Sequence, residues 1–196
     1  MSAFVACRDS VLTGHDPNIL ARIWEPEVHL VLWQRPLLEA LAALAALVWD
    51  EIDDIDEVVS RDALATSVPE LIADAGYGDM ALPLSREIVA LSERFAAIMD
   101  CPWLKLRLEV VETDACRRFH ADNVAARLLM PLVGPGTQWI HAGTEGAIHE
   151  LRPGEVGLFK GWQWTDEPRI LHRSPPVAAT GETRLLFALN HADEGR

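Results

Sequence analysis

The spacing of apolar residues changes near residue 103, and this change limits the possible folds more than any other feature of the sequence. After it, short β-compatible runs alternate with turns such as Gly134-Pro135-Gly136. That spacing is typical of a small antiparallel sandwich or barrel. The runs are Leu104–Glu112, Val124–Val133, Thr137–Ile140, Glu155–Lys160, Arg169–His172 and Thr183–Leu189.

The first hundred residues have the spacing of helices instead. Apolar residues three and four apart predict one helix over about 36–52, with Pro36 in its first turn, and another over about 84–99. A shorter helix is predicted from Pro69 to Ala75, ended by Gly76. We therefore predict an α+β protein in which a helical N-terminal part packs on a C-terminal jelly-roll-like β part.

The net charge of −13 is shared unequally along the chain. Residues 1–100 have 18 acidic and 6 basic side chains, whereas residues 101–196 have 12 and 11. Nucleic-acid binding needs clustered cations, and the sequence has only two lysines, so we expect no nucleic-acid partner. Six carboxylates lie within 50–57, and they fit either a solvated helix end and loop or a site for a cation or basic partner.

Nothing in the sequence predicts a membrane or secretory segment. The most apolar stretch, Leu37 to Trp49, is shorter than the ~20 residues of a membrane span and contains Glu39. The N-terminus lacks a basic start followed by an apolar block. Three cysteines without CxxC spacing favour a reducing compartment. We expect a cytoplasmic protein with no membrane partner.

A candidate metal site lies in the β half, where His120 and Asp122 are two residues apart. Residues at this spacing on an extended strand point to the same face, so an imidazole and a carboxylate can meet one metal ion. His172 follows 52 residues after His120, at the end of another strand-like run. Two imidazoles and a carboxylate on one face of an octahedral Fe(II) leave three adjacent positions open.

The arrangement of His120-x-Asp122, a distal His172 and a trailing Arg184 resembles the iron- and 2-oxoglutarate-dependent oxygenases. The resemblance implies a double-stranded β-helix, a jelly-roll variant, over residues 103–196, with the helical part over 1–102 packed on it as one unit. It also implies that His120, Asp122 and His172 are catalytic residues that bind Fe(II). The implied co-substrate is 2-oxoglutarate, and the implied substrate is a small molecule or a peptide.

A dianionic co-substrate needs a fixed cation at its far carboxylate, which an arginine fork supplies. Arg184 is the candidate, and Arg127 is the second choice. The superfamily commonly has Arg-x-Ser at this point, whereas this chain has Leu186 in place of the serine. The hydroxyl partner of the arginine is therefore missing from the expected position.

A closer resemblance covers nearly the whole chain. Three separated segments resemble, in order, the bacterial family catalogued as domain of unknown function 1826: ILARIWEPEVHLVLWQRPL, CRRFHADNVAARLLMPLVGPGTQWI and ILHRSPPVAATGETRLLFAL. That family implies no activity, but its signature segments contain His120, Asp122, His172 and Arg184.

Three interpretations of the site remain open at this point. The first is the 2-oxoglutarate-dependent oxygenase, and the second is a cupin-like metal enzyme that does not use 2-oxoglutarate. The third is a non-catalytic metal-binding or metal-homeostasis protein, for which Zn²⁺ suits the same ligands. Without a metal, His120 and His172 would be satisfied structural histidines, Asp122 would cap a turn, and Arg184 would pair with Glu182 or Asp166.

Overall fold

The computed structural model describes residues 10–113, 118–144, 146–177 and 181–194. Two α-helices lie between the third and fourth strands in chain order, α1 (Leu64–Asp74) and α2 (Ala81–Met99). The strands are β1 (Val11–Gly14), β2 (Leu30–Trp33), β3 (Ile55–Ser60), β4 (Trp103–Val111), β5 (Ala126–Val133), β6 (Gln138–His141), β7 (His149–Glu150), β8 (Val156–Lys160), β9 (Ile170–Arg173) and β10 (Arg184–His191).

The strands form two sheets that face each other. The large sheet has seven strands in the order β1-β2-β8-β5-β10-β4-β3, and the small sheet has three in the order β7-β6-β9. Neighbours in both sheets are antiparallel, apart from the parallel pair β1 and β2. His120 adds a single antiparallel bridge to His172 in β9, which extends the small sheet by one position.

Side-chain alternation divides the core into two layers. On β10, Leu185, Phe187 and Leu189 belong to the apolar cluster that also contains the buried faces of α1 and α2. Leu186 and Ala188 point the other way, into a smaller cluster between the two sheets. The smaller cluster consists of Leu30, Leu32, Leu129, Trp139, Leu151, Phe159, Ile170, Leu186 and Ala188. The large sheet therefore has helices on one face and the small sheet on the other.

The six strand runs predicted after residue 103 are all observed, with small shifts at their ends. In the first half, the helix predicted over 84–99 is α2, and the α+β class is confirmed. The helix predicted from Pro69 to Ala75 begins earlier, at Leu64. The earlier start follows from Leu64, Val68 and Ile72, which are four residues apart and fully buried on one face.

The α-helix predicted over 36–52 is wrong. The chain forms 3-10 helices instead, over Glu39–Ala46 and Trp49–Glu51. Leu41, Leu44 and Leu47 recur every third residue, which matches three residues per turn. Leu41 and Leu44 are buried and Leu47 packs against the same core, so the tighter helix buries this row. Other 3-10 helices are Pro17–Trp24, Arg61–Ala63 and Gly78–Met80.

A purely helical first half is also wrong, because β1, β2 and β3 belong to the large sheet. β3 begins within the acidic segment 50–57, for which the sequence left open either a solvated helix end and loop or a site for a cation or basic partner. Ile55 and Val59 face the core, while Asp56 Oδ1 lies 2.5 Å from Lys105 Nζ on β4. The division at 102/103 stays a prediction, and strands from both sides of it share one sheet. No α-helix in the described part of the chain has the length and hydropathy to cross a membrane.

Candidate metal centre

A cavity of about 320 Å³ opens between the two sheets. The large sheet contributes residues of β4, β5 and β10 to its wall, and the small sheet contributes His172 and Arg173 of β9. His120 and Asp122, which precede β5, complete the wall on one side. The cavity therefore lies where a double-stranded β-helix leaves space between its sheets.

The backbone bridge between His120 and His172 places their imidazoles side by side. The His120 N–H donates to the His172 carbonyl at 3.0 Å, and the His172 N–H donates to the His120 carbonyl at 2.8 Å. The two ring centroids are 4.9 Å apart. His172 faces inward because it is two residues after Ile170, which is buried between the sheets. Histidines 52 residues apart in sequence thus meet at the cavity.

Asp122 brings its carboxylate to both imidazoles. Its Oδ1 lies 3.5 Å from His120 Nε2, and its Oδ2 lies 3.2 Å from His172 Nε2. One ligand atom from each of the three residues can be chosen so that all lie within 4.8 Å of one another. This donor set suits a divalent transition metal, so the residues present fit an iron ion. The structure brings together the three residues that the sequence pattern singled out.

The main chain of Asp122 is held by a tight contact with the segment after β8. The Trp162 N–H donates to the Asp122 carbonyl at 2.9 Å, and the Gly161 N–H donates to the Ala125 carbonyl at 2.8 Å. A Cβ added to Gly161 would lie 2.5 Å from the Asp122 carbonyl oxygen and closer still to that of Val124. Only glycine permits this approach, which lets the Trp162 N–H hold the Asp122 carbonyl.

His120 is oriented by a second contact. Its Nδ1 lies 2.8 Å from the carbonyl oxygen of Arg118, so Nδ1 carries the proton and donates it. In the neutral ring Nε2 therefore carries the lone pair, which a metal can bind, whereas in the protonated ring Nε2 donates to Asp122. The hydrogen bond with Asp122 raises the pKa of His120 against the opposing effect of burial.

Arg127 lies on β5 against the same carboxylate. Its Nε is 2.6 Å from Asp122 Oδ2, and both side chains are largely buried. Burial alone would raise the pKa of Asp122, but hydrogen bonds from His120 and His172, together with the nearby charges of His172 and Arg127, hold that pKa well below its usual range. Asp122 is therefore an anion at any physiological pH and is ready to bind a cation.

Arg184 lies at the start of β10 and is 1% exposed. Its Nε donates to the Pro135 carbonyl at 2.6 Å. It shares the cavity-facing side of β10 with Leu186 and Ala188, but among the described residues that line the cavity Arg127 is included and Arg184 is not. The structure thus brings Arg127 to the three candidate ligands and places Arg184 further along the strand.

Sequence reasoning missed two features of this site. No local pattern marks Gly161, because the backbone that it approaches lies almost forty residues earlier in the chain. Thr137 was predicted only as the first residue of the strand-like run Thr137–Ile140, although it lies two residues before the buried Trp139 and so shares its inward face. That alternation was the available signal for Thr137.

The sheets and the cluster between them define a double-stranded β-helix protein with a candidate site of two histidines and one carboxylate. The chain belongs to the family described as protein of unknown function (DUF1826), whose sequence model matches residues 14–190. The match confirms the family resemblance of the three sequence segments. A comparison with curated protein sequences found no match.

Several solved structures are similar to this chain. A prolyl-4-hydroxylase from Pseudomonas putida is 16% identical, with a TM-score of 0.51, and the match covers 91% of this chain and 93% of that one. A rice dioxygenase for auxin oxidation is 14% identical, with a TM-score of 0.46 over 77% and 66% of the two chains. The Arabidopsis thaliana dioxygenase for auxin oxidation 1, in a complex with 2-oxoglutarate, is 11% identical, with a TM-score of 0.42 over 70% and 61%. The likeness to the prolyl-4-hydroxylase confirms the double-stranded β-helix fold.

Proposed function

We propose that this protein is a non-haem Fe(II)-dependent oxygenase that uses 2-oxoglutarate and O2 to oxidise a small-molecule or peptide substrate. The observation that carries the proposal is the convergence of His120, Asp122 and His172 on one cavity, with ligand atoms within 4.8 Å of one another. The fold likeness describes the architecture only, so the chemistry is argued from the site.

His120 Nε2, His172 Nε2 and a carboxylate oxygen of Asp122 would hold the iron from one side. Iron bound there would bind and activate O2, and oxidation of 2-oxoglutarate and of the substrate would supply the electrons. The Arg118 carbonyl keeps the proton on His120 Nδ1, so that its Nε2 can bind metal. Arg127 fixes the orientation of Asp122 through the contact at Oδ2.

The cavity is large enough for small organic molecules beside these ligands. Its floor is apolar where Leu129, Leu186 and Ala188 line it, and its rim carries the paired charges of Arg107 and Glu109. An apolar floor excludes water from the metal-facing space, and polar groups at the rim orient a substrate. Arg184 or Arg127 would supply the positive charge for the far carboxylate of 2-oxoglutarate.

Anaerobic titration of the protein with Fe(II) and then 2-oxoglutarate tests the proposal. We expect a visible absorption band that appears only when both are present, and succinate formation once O2 is admitted. Asp122→Ala should abolish the band, whereas Glu93→Ala, a change at an exposed position of α2, should leave it unchanged. Failure to develop the band in protein that has bound Fe(II) would remove 2-oxoglutarate from the proposal.

A metal enzyme that does not use 2-oxoglutarate is the second candidate. It is favoured by the position of Arg184, which is not among the described residues that line the cavity. Oxygen consumption by the Fe(II)-loaded protein, measured with candidate substrates and without any 2-oxo acid, distinguishes the two. Substrate-dependent oxygen uptake that is indifferent to 2-oxoglutarate would favour this second candidate.

A further inference from the structure

Thr137 presents a buried hydroxyl to the cavity that the proposed function has not used. The residue is 2% exposed, lines the cavity, and its Oγ1 has no hydrogen-bond partner among the described residues. A buried hydroxyl without a partner is unfavourable, so such groups are rare unless something binds them. The hydroxyl of Thr137 is therefore a candidate contact for a ligand in the cavity.

The register of the small sheet fixes how far Thr137 lies from the candidate metal ligands. Trp139 on β6 is paired with His172 on β9, and Gln138 with Arg173. Continuing this register places Thr137 beside Ser174, two residues along from His172. Two residues of extended strand span about 7 Å. The distance between the hydroxyl and the end of the cavity where the metal would bind is therefore one that a short carbon chain can span.

The wall between these two ends suits a carbon chain. The large sheet supplies Leu129, Leu186 and Ala188 there, which are apolar and nearly buried. The carboxylate carbons of a five-carbon dicarboxylate are about 5 Å apart, since four C–C bonds separate them. Methylene groups of such a chain would contact the apolar wall while both ends reach polar groups.

The Arg184 guanidinium lies behind the turn that precedes Thr137, and it is not among the described residues that line the cavity. The Arg184 Nε donates to the carbonyl of Pro135, two residues before Thr137, which ties the guanidinium to the same turn. A guanidinium near a hydroxyl donor favours a carboxylate over a neutral group. In the sequence, Leu186 occupies the position where the related oxygenases commonly have a serine, so a hydroxyl must come from elsewhere.

We propose that Thr137 is a co-substrate-binding residue whose hydroxyl donates a hydrogen bond to the distal carboxylate of a 2-oxo dicarboxylate. It takes the place of the serine hydroxyl that the Arg184-x-Leu186 sequence lacks. The inference rests on the proposed function, because the other end of the same molecule is taken to lie at His120, Asp122 and His172. It adds a specificity: the site prefers 2-oxo acids that carry a second carboxylate.

Calorimetric binding to the Mn(II)-loaded protein under argon tests this, with 2-oxoglutarate and pyruvate as probes. Pyruvate keeps the 2-oxo acid group and lacks the distal carboxylate. We expect Thr137→Val to weaken 2-oxoglutarate binding about tenfold, the loss typical of a hydrogen bond to a charged group, and to leave pyruvate binding within twofold. Thr137→Ser, which keeps the hydroxyl, should bind both probes as the wild type does.

The ratio of the two affinities is measured within each variant, so a general loss of stability does not imitate the result. If Thr137→Val binds 2-oxoglutarate as tightly as the wild type does, the inference is overturned and the proposed function is untouched. If the Mn(II)-loaded wild type binds no 2-oxo acid, the use of 2-oxoglutarate is overturned together with the inference.

Discussion

The two faces of the large sheet are built from the same strands and differ sharply in what they bury. On the helix side, Leu185, Phe187 and Leu189 of β10 are fully buried in a continuous apolar cluster. On the other side, Leu186 and Ala188 border a cavity with charged and polar groups in its wall. A strand with a period of two can thus stabilise the fold with one set of residues and form a binding site with the other.

The difference explains why the candidate site tolerates buried charge. Asp122 and Arg127 compensate each other at 2.6 Å, and the two imidazoles add donors to the same carboxylate. Among the described residues, the buried charges on the helix side are Glu87, which pairs with Arg35, and Lys160, whose Nζ donates to the Glu25 carbonyl. Stability is therefore expected to depend mainly on the helix side, and ligand binding on the cavity side.

Truncation on the helix side should have the largest effect on stability. Phe187→Ala is expected to lower the free energy of unfolding by about 3–5 kcal/mol, because a large side chain leaves a cavity in a packed core. Leu186→Ala, its neighbour on the cavity side, should cost about 2 kcal/mol, the low end for a buried leucine. Guanidinium unfolding followed by circular dichroism measures both. If Leu186→Ala lowers the free energy of unfolding more than Phe187→Ala does, stability does not depend mainly on the helix side.

Acid should weaken the junction between the two sheets. His29 is 5% exposed, and its Nδ1 accepts a hydrogen bond from the Arg169 N–H just before β9. Burial, together with the charges of Lys160 and Arg169, lowers the pKa of His29 to about 4. The unfolded chain therefore takes up the proton first as pH falls. The stability due to neutral His29 is present above pH ~6.5 and is lost by pH ~4.

The shift corresponds to about 3 kcal/mol of unfolding free energy. His29→Asn keeps an acceptor for the Arg169 N–H and removes the titration, so its stability should fall less steeply between pH 6.5 and 4. Urea unfolding at several pH values gives the difference between the two proteins. If the unfolding free energies of the two proteins change with pH in parallel, His29 is not the cause of the acid sensitivity.

Gly161→Ala should act on the cavity side by displacing Asp122. The added methyl would press on the carbonyls of Asp122 and Val124, so the backbone must move at a cost of about 1–3 kcal/mol. Mn(II) binding, measured by electron paramagnetic resonance, should weaken in parallel. In Gly146→Ala the nearest atom to the new methyl is the Thr144 hydroxyl at 3.1 Å, and both quantities should stay near wild type. If Gly161→Ala binds Mn(II) as tightly as the wild type does, the Gly161 contact does not position Asp122 for metal binding.

The sequence was informative where the physical cause is local. Alternating residues and Gly/Pro turns predicted the strands after residue 103, and the His120-x-Asp122 spacing predicted a shared face. The partnership of His172 was inferred by resemblance, because no local rule connects residues 52 positions apart. Their roles as ligands stay a prediction that metal binding must test.

The rest depended on contacts between distant segments. β3 is a strand because it pairs with β4, whose residues lie almost fifty positions later, and its own sequence is rich in carboxylates that disfavour strands. Gly161 and Thr137 likewise have ordinary local sequences. Their importance comes from the Asp122 backbone in one case and from the cavity in the other.

Replacement of Arg127 should have the smallest effect of these substitutions, and the effect should be specific to metal binding. Arg127→Met keeps the length of the side chain and removes the cation that holds Asp122 Oδ2. We expect Mn(II) affinity to fall about tenfold, as is common when a partner of a metal ligand is lost. The pKa of Asp122 should rise toward its usual range, because one of the charges that lower it is gone.

Arg173→Met is the matched control, since Arg173 lines the same cavity with its guanidinium over the Phe119 ring and its Nε donating to Gln138. It removes the same charge from the cavity and should change Mn(II) affinity little. Tighter Mn(II) binding in Arg127→Met would mean that the guanidinium competes with the metal for Asp122. Arg127 would then pair with the Asp122 carboxylate only in the absence of metal. The bound metal, and not Arg127, would fix the positions of the side chains on the cavity side.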